Sequence, residues 1–412
     1  MPKSGARLPK SEATRLRLLD CAAAEVLESG PDHVGFTAIA RRAQMSTGAL
    51  YARYENVDEL LLELWMFKGL PTLRTLAADM EESLTGDAAR AARRRVADAL
   101  SEPDSDLALL VSLLMVARRN EALGEFVVPS TESVLENAMR VAPAFDFYLG
   151  QVLGIAMGVR GAAMSGLDWY SPVSIVASAT RDATPPVVID PSSPAIAETS
   201  SGGPDIDEMD ARLFQAVSKV IARVGVDKAT ISRIARHADV NPASIYLRYE
   251  DKNALFSACI AHVMASTYGQ NERLITYYNH GVDQQKGMGG ERYGVVMFRG
   301  NQSEEHAQTR RLRLETMFAA AHHDHLCAIT KKVFAEILSD EERQLGVPEG
   351  LIVQSSHLPL ILFSRFAFFG YALLREFGYL SPEHPHLVPF TEQVGDRLFA
   401  SASWLRAGPR QN

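Results

Sequence analysis

Two kinds of side chain suited to contacting nucleic acid lie close together in the second half of the chain. Around residue 243 the side chains are small, which lets a helix come close to the edges of bases. Hydroxyl and cationic groups on either side of them could bind phosphates, which gives affinity but little sequence information. The residues assigned to these two roles are Thr230, Ser232, Arg233, Pro242, Ala243, Ser244, Tyr246, Arg248 and Lys252.

The same pattern occurs 195 residues earlier in the chain. Residues 234–255 read IARHADVNPASIYLRYEDKNAL, and residues 39–60 read IARRAQMSTGALYARYENVDEL. A shift that holds across a whole motif indicates an internal duplication. The candidate contact residues of the first copy are Thr37, Thr47, Gly48, Ala49, Tyr51 and Arg53.

Capping and turn residues predict the helices that position these side chains. In the second copy we expect Gly225 to end a helix in the left-handed conformation and Thr230 to cap a short helix. After a turn at residues 238–240, Asn241 is a favoured N-cap and Pro242 suits the first helical position. Two short helices joined in this way form a helix-turn-helix, whose second helix enters the major groove of DNA. The alternative is that the tyrosines of the motif only fill the core of a helical bundle.

Both copies resemble the N-terminal DNA-binding domain of the TetR family of bacterial regulators. The second copy meets the family pattern at Thr230-Ile231, Ile234-Ala235, Ile245-Tyr246, Arg248-Tyr249 and Lys252. The first copy meets it at Ile39-Ala40, Leu50-Tyr51 and Arg53-Tyr54. It departs from the pattern twice, with Gly35 in place of the capping Thr and Val57 in place of the phosphate-facing Lys.

This resemblance implies an all-α protein made of two tandem TetR-like units, each with a helix-turn-helix three-helix domain and a helical regulatory domain. The expected boundaries are 1–11 for a basic arm, 12–60 and 209–255 for the DNA-binding domains, 61–182 and 256–412 for the regulatory domains, and 183–208 for a linker. Family members usually act as homodimers and mostly repress transcription. The partners implied are double-stranded DNA and a small apolar or amphipathic effector that releases the protein from DNA. The alternative is a regulatory adaptor, in which the first motif has lost DNA binding and serves protein-protein contacts.

Composition agrees with a globular protein that binds DNA through local charge. The chain has 412 residues, 47% hydrophobic and 22% charged, with a formal net charge of −8. Cations nevertheless concentrate in and before the first motif, and local charge sets the footprint on DNA. These cations are Lys3, Arg7, Lys10, Arg15, Arg17, Arg41, Arg42 and Arg53.

Cysteine usage and the N-terminal residues predict the compartment. Three widely spaced cysteines favour a reducing environment over a disulfide framework, and the first 15 residues lack the apolar core of a secretory signal. Residues 351–374 are apolar but carry His357 and Arg365, so a buried helix is favoured over a membrane span. We therefore expect a cytoplasmic protein that does not enter membranes. No HExxH, GxSxG or Walker motif occurs, so we expect neither an enzyme nor a cofactor.

Outside the motifs, apolar periodicity predicts a helical body. Residues 107–116 are apolar enough to be central. Residues 281–300 are interpreted as a glycine-rich loop. A stripe of small residues favours a close helix-helix interface over a ligand site, and it consists of Gly150, Gly154, Gly158, Ala162 and Gly166. Helices are expected at about residues 12–28, 304–321, 325–338, 349–377 and 390–405.

Two polar clusters near residue 320 could carry chemistry. The first could bind zinc, but no second ligand pair occurs at a matching spacing. A solvated helix junction without a metal is therefore favoured. This cluster consists of His322, His323, His325 and Cys327. The second is interpreted as an exposed helical face, with a second nucleic-acid contact as the alternative. It consists of Arg310, Arg311 and Arg313.

The duplication also bears on assembly. Two DNA-reading helices of a dimer lie about one DNA turn apart, roughly 34 Å, and one duplicated chain supplies both. The apolar helices at 145–167 and 351–377 each need a partner to cover them. We therefore predict an intramolecular pseudo-dimer, in preference to a conventional homodimer with four motifs.

Overall fold

The structure is a computed structural model of the chain, and it describes residues 10–101, 105–187, 206–264, 266, 289–304 and 306–401. Helices form the secondary structure of these residues, and none of them lies in a strand, which confirms the all-α prediction. Cα packing divides the chain into two compact units, Met1–Thr75 with Asp104–Glu132 and Leu76–Pro103 with Ser133–Asn412. The expected domain boundaries stay a prediction, and residues 1–9 of the basic arm and 188–205 of the linker lie outside the described residues.

The first unit contains the first helix-turn-helix and the helices that support it. Its helices are α1 (Lys10–Ser29), α2 (Phe36–Ala43), α3 (Thr47–Tyr51), α4 (Val57–Leu64), the start of α5 (Leu70–Leu84), α7 (Asp106–Ala117) and the first part of α8 (Glu121–Val141). Every residue of α7 from Leu107 to Ala117 is buried, which confirms the central position predicted for it. A π-helical turn, Trp65–Gly69, joins α4 to α5, and the buried Trp65 indole donates a 3.0 Å hydrogen bond to Ser130.

The second unit contains the second helix-turn-helix and a large helical body. Besides the remaining parts of α5 and α8, its helices are α6 (Ala89–Ser101), α9 (Phe145–Gly161), α10 (Tyr170–Asp182), α11 (Glu208–Lys228), α12 (Ile231–Ala238), α13 (Pro242–Tyr246), α14 (252–264), α15 (Gly289–Gln302), α16 (Ala307–Ala320), α17 (Asp324–Leu345), α18 (Leu351–Gln354), α19 (Leu358–Glu376) and α20 (Leu387–Ser401).

Helices α9 and α19 cross in close contact through glycines. A Cβ on Gly154 would meet the carbonyl carbon of Phe366 at 2.9 Å and the nitrogen of Gly370 at 3.0 Å, and one on Gly158 would strike the Phe366 ring. A Cβ on Gly370 would in turn collide with the carbonyl oxygen of Gly150 and with the nitrogen of Gly154. The glycine stripe is therefore a helix-helix interface, as predicted.

The stripe is shorter than the sequence suggested. Helix α9 ends at Gly161, so Ala162 and Gly166 do not continue it, and that part of the prediction was wrong. Gly161 instead lies against the backbone of Met317 in α16.

Two helix predictions were wrong for local reasons. Residues 289–300, expected as part of a loop, belong to α15, where Met297 and Phe298 are buried and outweigh the low helical propensity of the glycines. The helix expected over 349–377 is broken into α18 and α19, because Ser355 is extended and Pro359 starts a new helix. Residues 402–405 of the last expected helix lie outside the described residues.

The arginine run on α16 is not the exposed face that was predicted. Arg310 is only 5% exposed and donates to the carbonyl oxygens of Asn301 and Ser303 at 3.0 and 2.8 Å. Arg311 pairs at 2.7 Å with Glu376, and the guanidinium of Arg313 donates to the side chain of Asn301. These partners lie in or directly after other helices, so the run forms a polar network that joins α16 to α15 and α19.

The remaining polar and apolar features of this unit have ordinary structural surroundings. His323 Nε2 lies 2.7 Å from Asp227 Oδ1, and across the described ranges no group of three or more His, Cys, Asp or Glu is arranged to hold a metal ion. The neighbouring His322, His325 and Cys327 are half-buried. By length and composition alone, α19 could cross a membrane, but 67% of that stretch is buried against other helices.

Candidate functional site

The second copy folds as the capping residues predicted. Thr230 Oγ1 accepts from the backbone N–H of Arg233 at 3.3 Å at the start of α12. Asn241 Oδ1 accepts from the N–H of Ala243 at 2.9 Å, and Pro242 occupies the first position of α13. Ile245 is fully buried and anchors α13, so the opposite side of this short helix faces solvent.

The two copies share the same turn geometry. Between the two helices of each motif, Gln44 (φ 53°, ψ 46°) and Asp239 (φ 54°, ψ 51°) adopt the left-handed conformation. Gly30 (φ 82°, ψ 151°) and Gly225 (φ 80°, ψ 170°) also match each other. Their φ is positive, as predicted for Gly225, but their ψ is extended. The prediction that Gly225 ends the helix in the left-handed helical conformation was therefore wrong. The duplication thus extends to backbone conformation at both positions.

The first copy presents a similar surface with weaker caps. Gly35 and Ser46 precede α2 and α3 without a side-chain hydrogen bond to the helix. Leu50 is fully buried, and Tyr51, 66% exposed, packs edge-on against Phe36 with ring centroids 4.9 Å apart. The predicted contact residues of both copies are exposed, apart from three that are half-buried: Ala49, Ser244 and Lys252. Their contact with DNA stays a prediction.

Arg248 differs from its counterpart Arg53 in its surroundings. The guanidinium of Arg248 donates to Asp207 at 2.8 Å and to Asp210 at 3.0 Å, and these contacts raise the pKa of Arg248. Arg53 donates at 3.0 Å to the carbonyl oxygen of Ser11, and no carboxylate contact is found for it within the described residues. A phosphate must therefore compete with two aspartates for Arg248 but not for Arg53.

Sequence reasoning missed Asp207 and Asp210. Asp207 is also the N-cap of α11, where it accepts from the N–H of Asp210 at 2.9 Å. Asp210 accepts in addition from the hydroxyl of Tyr249 at 2.9 Å, whereas the corresponding Tyr54 donates to Glu63. The acidic start of α11 was visible in the sequence, but its proximity to residue 248, about 40 positions later, follows only from the fold.

The first helix of the second motif lies in a positive environment. Partial desolvation of the ring, followed by the charges of Arg223, Lys219 and Arg236, lowers the pKa of His237. The ammonium of Lys252 lies 5.3 Å from the centre of the Phe256 ring, where it makes a cation–π contact. A polyanion would find several cations at this motif despite the net negative charge of the chain.

A second candidate site is a cavity of about 400 Å³ bordered by α9, α15, α17, α19 and α20. Its wall is mostly apolar and includes Phe147, Phe298, Phe363, Phe368 and Phe390. Gln151 and Tyr371 also line it, although they are only 4% and 5% exposed, and Gln151 Nε2 donates to the Tyr371 hydroxyl at 2.7 Å. On the α17 side, Arg365 is paired with Glu341.

One residue that lines this cavity has a larger counterpart in the first half. A shift of 216 residues superimposes Gly154 on Gly370 and Phe147 on Phe363, and it places Tyr148 at the position of cavity-lining Ser364. Tyr148 is fully buried, and its hydroxyl lies 3.0 Å from Ser83 Oγ. Ser364 is half-buried and leaves room at the equivalent place.

Comparison with known proteins agrees with the duplicated motif. Residues 18–64 and 213–259 both match the sequence model described as "Bacterial regulatory proteins, tetR family". A solved structure similar to this chain is that of the fatty acid degradation regulator FadR from Bacillus halodurans, with 16% identity and a TM-score of 0.32. That similarity spans 51% of this chain and 100% of the other. No curated protein gives a significant match.

Proposed function

Because the chain is a tandem TetR-family regulator, with the DNA-binding domain of the family present twice, we propose that it is a ligand-responsive repressor that reads its operator with both motifs. The observation that carries the proposal is the matched pair of short reading helices, α3 and α13. Each is anchored by one buried side chain, Leu50 or Ile245, and each exposes small residues at its N-terminal end. An N-terminal end of this kind contacts base edges in helix-turn-helix proteins.

We further propose that one chain forms an intramolecular pseudo-dimer through α9 and α19. The backbone of Gly154 meets Phe366 and Gly370, and the backbone of Gly370 meets Gly150 and Gly154. Exchanging the helices by the 216-residue shift converts the first set of contacts into the second. Reciprocal contacts of this kind are the signature of a two-fold interface. Light scattering at low micromolar concentration should then give one chain mass, 45.1 kDa, and a stable particle of twice that mass would refute the pseudo-dimer.

The effector site we propose is the cavity between α9 and α19–α20. It is enclosed by helices from both halves of the sequence, so a ligand there could change how α9 and α19 pack. A ligand releases DNA only if it binds two arrangements of the protein with different affinity. The position against the interface helices supports this role.

The test is a gel shift with DNA from upstream of the gene, titrated with salt. We expect specific binding whose affinity falls as salt rises, because phosphate contacts release counterions. Gly48→Glu and Ala243→Glu place a carboxylate at equivalent points of the two reading helices, and each should weaken binding. If both variants bind DNA as tightly as the unmodified protein, these helices do not read DNA.

The adaptor function has specific observations in its favour for the first motif. Gly35 supplies no capping side chain, and Val57 replaces the cation that Lys252 provides in the second motif. If the first motif serves protein contacts, Gly48→Glu should leave DNA affinity unchanged while Ala243→Glu abolishes it. If both motifs read DNA, both variants should reduce affinity.

A further inference from the structure

We propose that the cavity selects an apolar molecule carrying one uncharged group that both donates and accepts a hydrogen bond, such as an alcohol or a primary amide, held by Gln151 and Tyr371. This inference rests on the proposed role of the cavity as the effector site. It adds the chemical class of the ligand and the atoms that recognise its polar end.

The walls of the cavity require an apolar body. Aromatic and aliphatic side chains from α15, α19 and α20 face it, among them Phe298, Phe368, Leu387 and Val394. A volume of about 400 Å³ lies within the range of sites that enclose small organic molecules. A hydrocarbon chain or ring system is therefore the part of the ligand that fills most of the space.

The polar end of the cavity has an unmet hydrogen-bonding capacity. Gln151 Nε2 donates to Tyr371, but Gln151 Oε1 is buried and has no hydrogen-bond partner among the described residues. The hydroxyl of Tyr371 accepts this bond, which leaves its own O–H to be donated. If the amide is turned over, Tyr371 donates to Oε1 and an amide N–H is left instead. In either orientation at least one donor and one acceptor remain, and a buried polar group without a partner is costly.

The charges around the cavity favour an uncharged ligand. Arg365 is the cation among the described residues that line it, and it is already paired with Glu341. Burial lowers the pKa of His357, another lining residue, which favours its neutral form at pH 7. Burial, and to a smaller extent the charge of Asp146, raises the pKa of Tyr371, so its hydroxyl stays protonated. A ligand carboxylate at this end would add a second anion near Asp146, whose Oδ2 already lies 3.2 Å from His384 Nε2, and burying an unpaired ion is strongly unfavourable.

The experiment compares three head groups on one hydrocarbon chain. Calorimetric titration of the full chain at neutral pH with 1-decanol, decanoate and decylamine should give binding of the alcohol about tenfold tighter, or more, than of either ion. The double variant Gln151→Met, Tyr371→Phe removes donor and acceptor together while keeping the shape, and it should bind the alcohol about tenfold more weakly. Ser364→Tyr, which puts the larger residue of the first half (Tyr148) at the cavity wall, should bind none of the three.

The outcomes separate this inference from the proposed function. Equal or tighter binding of decanoate overturns the inference, and the unmodified protein alone decides this if the double variant does not fold. Binding of the alcohol that survives in Ser364→Tyr overturns the location. If decanol binds as expected but leaves operator affinity unchanged, the ligand class stands and the effector role of the cavity fails.

Discussion

Gly370 offers a direct test of the α9–α19 interface, because adding one methyl group there must separate two backbones. A Cβ at this position would lie 2.5 Å from the nitrogen of Gly154 and closer still to the carbonyl oxygen of Gly150. Both obstacles are main-chain atoms within a helix, so neither can rotate aside as a side chain would. We therefore expect Gly370→Ala to disrupt the packing of α9 against α19.

The magnitude follows from the distance the helices must move. Restoring ordinary contact with the carbonyl oxygen of Gly150 requires a separation of more than about 1 Å, which forfeits about half or more of the dispersion energy of each contact across the crossing. Overpacking of a core usually costs about 1–3 kcal/mol, and backbone obstacles place this substitution at or above the upper end. A loss of about 3 kcal/mol should lower the midpoint of thermal unfolding by about 5 °C or more.

The assay is thermal unfolding followed by circular dichroism, with Gly395→Ala in α20 as the matched control. A Cβ at Gly395 meets no atom within 4 Å, so alanine there should stabilise the helix by about 0.5–1 kcal/mol. The unfolding midpoint should therefore fall for Gly370→Ala and rise slightly for the control. An unchanged midpoint for Gly370→Ala would show that α9 and α19 do not cross at these glycines.

Three further predictions concern DNA affinity at the motifs. Lys252→Ala should reduce the slope of log affinity against log salt by about one, whereas Val57→Ala in the first copy should leave it unchanged. Asp207→Asn keeps the α11 cap but weakens the hold on Arg248, so DNA should bind about two- to fivefold more tightly, and weaker binding would contradict this role. The pKa of His237 is lowered in the free protein, and a nearby phosphate favours its charged form, so binding takes up a proton. Affinity should then rise as pH falls from about 7.5 to about 6, and His237→Asn should remove that rise.

Local signals were sufficient for the motifs. The caps at Thr230 and Asn241 and the apolar anchor Ile245 depend on residues a few positions apart, and the structure has each where the sequence predicted it. The glycine stripe on α9 also predicted a helix-helix interface, because small residues at this spacing let two helices approach closely. Its partner Gly370 could not be identified, since it is the single glycine of α19 and forms no stripe that would mark a crossing point.

The predictions that were wrong share one cause, which is contact between residues far apart in the sequence. The sequence predicts an exposed Arg310 because arginine is usually exposed, yet its partners are the carbonyl oxygens of Asn301 and Ser303 at the end of α15 and the buried Glu376, 66 residues later. The cavity could not be predicted either, because it depends on Gln151 meeting Tyr371 across the two halves of the sequence. Helix α15 formed where glycines predicted a loop, since packing of Met297 and Phe298 outweighs propensity.

The exchange of Tyr148 for Ser364 bears on how the protein would respond to its signal. A symmetric dimer with two equal pockets can bind ligand cooperatively, so that its occupancy changes steeply with concentration. Here Tyr148, whose hydroxyl is bound to Ser83, stands at the position of cavity-lining Ser364, so the residues that border the proposed effector site are not repeated in the first half. If this single site is the effector site, as proposed, ligand binding should follow a Hill coefficient of about one, and release of DNA should be graded over a wide range of ligand concentration.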